Sequence, residues 1–152
     1  MKNLFLLSII IPAYNLESYI IQTLNSILMA LKNSNNPTYY EIILVDDGSE
    51  DNTYQVINDY SKKNNHMNMV VLQKTNEGVA LARNYGIKHA RGDYLLFLDG
   101  DDLITQDFFI EIEKILGKRE LDMCVFGYDI VNSLGMKTNT FYETIKKDLG
   151  FP

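Results

Sequence analysis

Short apolar runs alternate along the chain with stretches in which apolar residues recur every three or four positions. The runs are rich in Ile, Leu and Val and contain few polar residues, which is typical of strands that are buried on both faces of a sheet. They predict strands at residues 5–11, 41–45, 69–72, 94–98 and 121–126. Beyond Asp129 the pattern weakens.

The periodic stretches predict helices, because residues three and four positions apart share one face of a helix. The predicted helices span residues 16–31, 52–63, 79–90 and 105–116, and a weaker pattern begins another at 143–149. Asn15 directly precedes the first of these helices, and its side chain is a favourable N-cap. Asp51 is expected to cap the second.

The alternation of strands and helices over 152 residues predicts one α/β domain. Its near-continuous apolar strands indicate a sandwich built around a mostly parallel sheet. In open sheets of this kind, ligands bind beyond the carboxyl ends of the strands. The residues that follow each strand are therefore the first place to look for a site.

Polar side chains follow each of the first four predicted strands. The strand ends read PAYN at residues 12–15, DDGS at 46–49, QKTN at 73–76 and DGDD at 99–102. In a parallel sheet these ends open onto one edge, which brings two acidic strand ends together. Like charges are costly when they are partly desolvated, and a bound cation would resolve the repulsion.

The stretch FLDGDD, at residues 97–102, is the main candidate for that cation site. Mg²⁺ sites commonly combine one or two carboxylates with substrate phosphates. A metal on an Asp-x-Asp turn would let a domain without a Gly-rich phosphate loop hold a diphosphate. The alternative is a solvated loop in which Asp102 caps the following helix.

Charge and motifs exclude several other classes of protein. The net charge is −6, and no basic stripe is present, which is unlike a nucleic-acid-binding surface. The chain has no P-loop, no G-x-G-x-x-G fingerprint and no G-x-S-x-G elbow, and its two His residues are far apart in sequence. A calcium loop is excluded because Ile104 stands where that loop requires Gly.

The single cysteine, Cys124, excludes an intrachain disulfide. It lies in an apolar stretch, so a buried thiol in a reducing, cytosolic setting is expected. The apolar N-terminal run is interrupted by Ser8 and ends at Pro12, so it is too short to span a bilayer and is predicted to be a buried strand.

Four stretches of the chain together resemble the family 2 glycosyltransferases, an inverting group with the GT-A fold. They are SIIIPAYN at residues 8–15, EIILVDDGSEDNT at 41–53, QKTNEGVALARNYGIKHARGDY at 73–94 and LLFLDGDD at 95–102. The resemblance implies a GT-A-type, Rossmann-like sandwich with a mostly parallel central sheet, C-terminally truncated. It implies a single domain over residues 1–152, with the donor-binding half at about 6–130 and an incomplete acceptor-side segment.

The resemblance also implies that a nucleotide-diphosphate sugar, often a UDP-sugar in the family, lies across the strand ends. Pro12 and Tyr14 match positions that line the base pocket, where the ring of Tyr14 would lie against the base. Asp46 and Asp47 match the pair at the nucleoside, where one carboxylate accepts the N3–H of uracil.

Four further residues match family positions closer to the phosphates. Asn76 and Arg83 match positions near the base and the phosphates, although a surface ion pair is an equal alternative for Arg83. Asp99 and Asp101 match the Asp-x-Asp motif, with Asp99 towards the ribose or a metal-bound water and Asp101 as the direct ligand of Mn²⁺ or Mg²⁺. The family implies metal-dependent, inverting sugar transfer to a saccharide or lipid-linked saccharide, with a role in bacterial surface polysaccharide synthesis.

The match ends before the family's catalytic base, an Asp or Glu that takes the proton of the acceptor hydroxyl. The downstream residues Asp122, Asp129, Glu143 and Asp148 lie in no convincing base motif. The family's Gln-x-x-Arg-Trp motif is absent, because the chain has no Trp. The alternative function is therefore a nucleotide-sugar-binding fragment without turnover of its own.

Another alternative is a different metal-dependent enzyme, such as a nucleotidyltransferase or an aspartate-based phosphatase. The phosphatase motif D-x-D-x-[TV] usually follows the first strand, whereas this motif follows the fourth predicted strand and ends on Leu103. For the glycosyltransferase, a cytoplasmic location is expected, with the full-length enzyme peripheral to the inner membrane face where its acceptor is lipid-linked.

Overall fold

The computed structural model describes residues 5–116, 122–124, 126–131 and 137–141. The chain divides into two compact units, Met1–Ile112 and Glu113–Pro152. None of the described helices combines the length and the apolar character that a membrane crossing requires.

Four parallel strands form the central sheet of the first unit. They are β1 (Phe5–Ala13), β2 (Tyr40–Asp46), β3 (Met69–Gln73) and β4 (Gly92–Phe97). Their order across the sheet is β3-β2-β1-β4, so the two strands with acidic ends, β2 and β4, both lie beside β1. Every residue of β2 is buried, which confirms the prediction of a strand covered on both faces. The predicted α/β architecture with a parallel sheet is confirmed.

Four helices and a short 3₁₀ turn connect these strands and follow them. They are α1 (Ile20–Asn33), the 3₁₀ turn (Pro37–Tyr39), α2 (Thr53–Lys63), α3 (Val79–Ile87) and α4 (Phe108–Leu116). All four predicted helices are present, and three of them are clearly shorter than predicted. Helix α3 packs closely on β1, because a Cβ on Gly86 would lie 2.5 Å from Cγ2 of Ile10.

Helix α1 begins four positions later than predicted, and the N-cap prediction for Asn15 is wrong. The N-cap position is Tyr19, which makes no side-chain cap hydrogen bond. Asn15 instead has a left-handed backbone, with φ of 54°. Its side-chain oxygen accepts the backbone N–H of Glu50 at 2.8 Å, so this amide is used between loops rather than within a helix.

The second unit contains an antiparallel pair, β5 (Tyr128–Val131) and β6 (Lys137–Phe141). The strand predicted at residues 121–126 is wrong where it is described, since residues 122–124 and 126 are not in a strand. Polar contacts join β5 and β6: Asp129 accepts a hydrogen bond from Thr140 at 2.7 Å and forms an ion pair with Lys137.

Cys124 is partly buried, and burial raises the pKa of its thiol. The helix predicted at 143–149 lies outside the described residues.

Candidate functional site

The carboxyl ends of β1, β2 and β4 meet at one edge of the sheet. Ala13, the last residue of β1, lies beside Asp46, the last residue of β2. Just beyond, the backbone N–H of Asp47 donates to the carbonyl of Ala13 at 2.9 Å. On the other side of β1, the N–H of Leu98 donates to the carbonyl of Ile10 at 3.1 Å. Polar residues that are far apart in sequence therefore share this edge, as the parallel topology predicts.

Asp46 is fully buried at this edge, and its two carboxylate oxygens differ in their hydrogen bonding. Oδ2 accepts hydrogen bonds from the backbone N–H of Ser49 at 3.3 Å and from Nε2 of Gln73 at 3.2 Å. Oδ1 is buried and has no hydrogen-bond partner among the described residues. A buried carboxylate oxygen without a donor is costly. Oδ1 is therefore an unsatisfied acceptor that lies beneath the surface of this edge.

Asp47 has donors on both of its oxygens. Oδ1 accepts from Nζ of Lys74 at 2.8 Å and from the backbone N–H of Glu77 at 3.2 Å, and Oδ2 accepts from the N–H of Gly78 at 2.8 Å. Burial alone would raise the pKa of Asp47, but the contacts with Lys74 and the two amides outweigh it and hold that pKa below its ordinary value. The side chain thus ties the end of β2 to the loop before α3.

Acidification is expected to remove the contribution of Asp47 to stability. Its pKa is lower in the folded state than in the unfolded chain, where it is about 3.9. The contribution is therefore complete above the unfolded pKa and is lost as the pH falls through the folded pKa. Free energies of unfolding for wild type and Asp47→Asn, measured in urea from about pH 7 to pH 2, should converge at the acid end. A gap of constant size would contradict the contacts.

Gly48 and Asn15 bring the loops at this edge close together. Gly48 has φ of 70°, and a Cβ there would lie 2.6 Å from the backbone N of Asn76, so only glycine allows the two loops to approach. Asn15 connects the loop after β1 to the loop after β2, because its N–H donates to Oγ of Ser49 at 3.0 Å. Tyr14, next to Asn15, remains 41% exposed, while Pro12 is buried.

Asp51 acts near the start of α2, as expected of a capping residue. Its Oδ1 accepts the backbone N–H of Thr53, the first residue of the helix, at 2.9 Å, although the N-cap position itself is Asn52. Oδ2 accepts the N–H of Glu17 at 3.1 Å. Burial opposes ionisation of Asp51, but hydrogen bonds from the Thr53 hydroxyl and from the N–H groups of Thr53 and Glu17 outweigh it and lower its pKa.

Arg83 on α3 forms an ion pair with Asp99, the first residue of the turn after β4. The contact joins Nη2 of Arg83 to Oδ1 of Asp99, and both side chains are partly exposed. Nε of Arg83 is buried and has no hydrogen-bond partner in the described part of the chain. The ion pair that was one of the two alternatives predicted for Arg83 is therefore present, and its partner, Asp99, belongs to the Asp-x-Asp motif.

The Asp-x-Asp turn is held tightly against β1 and α1. The carbonyl of Gly100 accepts a hydrogen bond from Oγ1 of Thr23 at 2.9 Å, and a Cβ on Gly100 would lie 2.7 Å from Cδ1 of Leu16. The turn closes where the N–H of Asp102 donates to the carbonyl of Asp99 at 3.0 Å. Asp102 does not cap the next helix, because α4 begins only at Phe108. The capping part of that alternative is wrong, whereas residues 101–103 are exposed, as a solvated loop would be.

The charges of this turn fit a hard cation. Burial and then the negative charges of Asp101 and Asp99 raise the pKa of Asp102. Asp101 is exposed. Within the described residues, no group of three or more His, Cys, Asp or Glu side chains could enclose a metal ion. A cation at Asp101 would therefore take other ligands from water and from a ligand such as a diphosphate, which is the usual arrangement for Mg²⁺.

The sequence interpretation missed Lys74, which contacts a candidate site residue. Its side chain is 12% exposed, and its Nζ lies 2.8 Å from Oδ1 of Asp47. Strand register could have identified this pair: Asp46 and Gln73 pair at the ends of β2 and β3, so the residues that follow them, Asp47 and Lys74, lie at the same edge. A carboxylate and an ammonium group at matching ends of parallel strands predict an ion pair.

Comparisons with known proteins agree on one family. The model of glycosyl transferase family 2 matches residues 8–146. The chain is 36% identical over 123 residues to the uncharacterized glycosyltransferase EpsJ of Bacillus subtilis, and this match covers 81% of this chain and 34% of EpsJ. It is 32% identical over 137 residues to the poly(ribitol-phosphate) β-N-acetylglucosaminyltransferase TarS of Staphylococcus aureus, covering 90% of this chain and 23% of TarS.

Solved structures give the same picture. The crystal structure of S. aureus TarS 1–349 in complex with UDP-GlcNAc matches with a TM-score of 0.65 at 35% identity, over 75% of this chain and 32% of that one. The mannosyltransferase PcManGT of Pyrobaculum calidifontis, in complex with GDP-Man and Mn²⁺, matches with a TM-score of 0.67 at 23% identity, over 83% of this chain and 35% of that one. The latter likeness concerns the fold alone. The chain thus spans about a third or less of these relatives.

Proposed function

The chain belongs to glycosyl transferase family 2 and has its GT-A-type fold, and we propose that it carries the donor site of an enzyme that transfers a sugar from a UDP-sugar to an acceptor hydroxyl with inversion. The observation that carries the proposal is the convergence of the carboxylates that follow β2 and β4, Asp46, Asp47, Asp99 and Asp101, at the edge where β1, β2 and β4 end. One carboxylate of the pair after β2 would accept the N3–H of uracil.

The nucleoside would lie between the loops after β1, β2 and β3. Tyr14 is exposed enough for its ring to lie against the base, and Pro12 would contribute to the wall of the pocket. Asn76 is exposed on the loop that packs against Gly48, where its amide can reach the nucleoside. These positions support recognition of the base by stacking and hydrogen bonds.

The diphosphate would lie towards the Asp-x-Asp turn. Asp101 would hold Mn²⁺ or Mg²⁺, with Asp99 towards the ribose or a metal-bound water, and the cation would offset the charge of the departing diphosphate. Arg83 lies beside Asp99 and its side chain is partly exposed, so its guanidinium would donate to a phosphate oxygen. The metal and Arg83 together supply the positive charge that the acidic edge lacks.

The acceptor that we propose is a hydroxyl of a cell-surface polysaccharide or of its lipid-linked precursor. Relatives carry the names of enzymes for such polymers, including poly(ribitol-phosphate) β-glucosyltransferase of Bacillus spizizenii, which is 35% identical over 141 residues. A lipid-linked acceptor would place the reaction at the cytoplasmic face of the membrane.

UDP is expected to bind the chain in the presence of Mn²⁺, and whichever of Asp46→Asn and Asp47→Asn removes the acceptor of the N3–H is expected to weaken that binding about 10- to 100-fold. The substitution keeps the shape of the side chain but removes an acceptor, and a hydrogen bond to a charged group contributes about 1.5–3 kcal/mol. Isothermal titration calorimetry with UDP and Mn²⁺ measures the change. Glu50→Gln is the matched control, because it removes one nearby negative charge from an exposed side chain and should leave the Kd unchanged. Wild-type chain that binds no UDP would refute the proposal, and so would wild-type affinity in both Asp46→Asn and Asp47→Asn.

A further inference from the structure

Two hydroxyl groups of helix α1 hold the backbone of the Asp-x-Asp turn, and we infer that Thr23 and Ser26 are positioning residues for the metal at Asp101. They act by fixing the chain on both sides of Asp101 before the cation binds. The inference rests on the proposed function and deepens it, because it assigns a task to side chains outside the proposed contacts with the nucleotide.

Thr23 is fully buried on α1, and its hydroxyl is used outside its own helix. Hydroxyl groups within helices commonly bond back to a carbonyl three or four positions earlier. Oγ1 of Thr23 instead donates to the carbonyl of Gly100 at 2.9 Å. That carbonyl and the N–H of Asp101 belong to one planar peptide unit. The hydrogen bond therefore fixes the orientation of the peptide that leads into Asp101.

Gly100 is the buried residue between two exposed carboxylates, Asp99 and Asp101. A Cβ at Gly100 would lie 3.1 Å from Cδ1 of Ile20, so α1 leaves room here for little more than backbone. Glycine places few restraints of its own on the backbone. The hydrogen bond from Thr23 supplies a restraint at the position where the residue type supplies least.

Ser26 lies one helical turn beyond Thr23, on the same face of α1. Its Oγ accepts the N–H of Ile104 at 3.2 Å and donates to the carbonyl of Thr23 at 2.7 Å. The segment 100–104 is thus attached to α1 at each end, while residues 101–103 between the two attachments are exposed. The carboxylate of Asp101 therefore projects from a short segment whose ends are both fixed.

The charges of the turn make such attachment useful. Asp99, Asp101 and Asp102 place three carboxylates within four positions, and their repulsion favours arrangements of the chain that separate them. In the part of the chain that the structure describes, no group of three or more His, Cys, Asp or Glu side chains could enclose the cation. The affinity for the metal then depends strongly on where Asp101 lies, and a turn that is already ordered has less entropy to lose on binding.

Binding of Mn²⁺ in the presence of UDP measures this positioning. Mn²⁺ is titrated into wild type, Thr23→Val and Thr23→Ser at a fixed excess of UDP, and free Mn²⁺ is followed by electron paramagnetic resonance. Thr23→Val keeps the branched shape but removes the donor, so the affinity for Mn²⁺ should fall about tenfold. Thr23→Ser keeps the donor and should retain nearly wild-type affinity. No loss in Thr23→Val, or an equal loss in Thr23→Ser, would overturn the inference.

Uridine distinguishes positioning of the metal turn from general damage to the fold. It lacks the diphosphate that would share the metal, so its affinity should not depend on the position of Asp101. An NMR titration with uridine in the absence of Mn²⁺ should give the same Kd for wild type and Thr23→Val. A loss of uridine affinity as large as the loss of Mn²⁺ affinity would show a merely structural role and overturn the inference.

Ser26→Ala provides a second test at a side chain that is only partly buried. It should lower the affinity for Mn²⁺ by about threefold, because the N–H of Ile104 loses its acceptor. Ser61→Ala on α2 is the matched control: Oγ of Ser61 also donates to a carbonyl three positions earlier, that of Asn58 at 3.0 Å, and its loss should leave Mn²⁺ binding unchanged.

The outcomes separate this inference from the proposed function. If Thr23→Val does not fold, Ser26→Ala decides, and wild-type affinity for Mn²⁺ in that variant overturns the inference. Wild-type chain that binds no UDP in the presence of Mn²⁺ would instead refute the proposed function, and this inference with it.

Discussion

Asp101→Ala is expected to abolish the stabilisation that UDP and Mn²⁺ together confer on the chain. The carboxylate of Asp101 is exposed on the turn after β4, and Asp99, which is also exposed, already pairs with Arg83. Within the described residues no cluster of other metal-binding side chains could replace it. The variant should therefore lose the metal and, with it, the attraction between the acidic edge and the diphosphate.

Thermal unfolding measures this loss. UDP at about 100 times its Kd should add roughly 2.7 kcal/mol to the free energy of unfolding of wild type, which raises Tm by a few degrees in a domain of this size. The shift should require Mn²⁺ and should be absent in Asp101→Ala, whose Tm without ligand should match wild type because the side chain is exposed. Asp59→Asn, on the exposed surface of α2, is the control and should keep the shift. A full shift in Asp101→Ala would exclude Asp101 as the metal ligand.

Glu41→Ala is expected to cost about 2–4 kcal/mol of stability, because it removes a buried side chain and the acceptor for the buried Ser8 hydroxyl and for Arg91. Glu41 is fully buried on β2. Its Oε1 accepts from Oγ of Ser8 and from the backbone N–H of Arg91, both at 2.6 Å, and its Oε2 lies 2.9 Å from Nη2 of Arg91. Ser8 in turn accepts the N–H of Gly92 at 2.8 Å, so this network joins β1, β2 and the start of β4.

Urea unfolding of Glu41→Ala and of Glu50→Ala tests this network. Glu50 is exposed, so its substitution should change the free energy of unfolding by no more than about 0.5 kcal/mol. The Glu41 network lies at the amino ends of the strands, away from the candidate site. Folded Glu41→Ala should therefore bind UDP with nearly wild-type affinity. A loss of less than about 0.5 kcal/mol would show that these hydrogen bonds contribute no net stability.

The sheet and the placement of the acidic turns could be predicted from the sequence, because they depend on local patterns. Apolar runs bounded by Pro12 and by the acidic turns identify β1, β2 and β4, and parallel pairing then brings their ends together without further information. The family-specific stretches added the expected role of each residue, and the match over residues 8–146 confirms the family. The roles themselves remain proposals.

The details that the sequence did not predict depend on contacts between residues far apart in the chain. Asn15 has a side chain that often caps a helix, but it accepts a hydrogen bond from Glu50, 35 positions away. Its amide is therefore not used to cap the helix that follows it. The hydrogen bonds of Asp47 likewise depend on the loop at 74–78, which no local pattern around the two aspartates reveals. The strand predicted at 121–126 failed because apolar content alone does not set strand pairing.

The contacts between the loop after β1 and the loop after β2 limit how the specificity of this domain can be changed by exchanging segments between relatives. Asn15 holds Glu50, and Glu17 accepts hydrogen bonds from the backbone and the side-chain amide of Asn52 at 2.9 Å. A chimera that receives only residues 14–17 from another glycosyltransferase would separate partners that match each other. Grafts that carry 14–17 together with 49–53 keep those pairs, so the two loops are best treated as one unit of exchange.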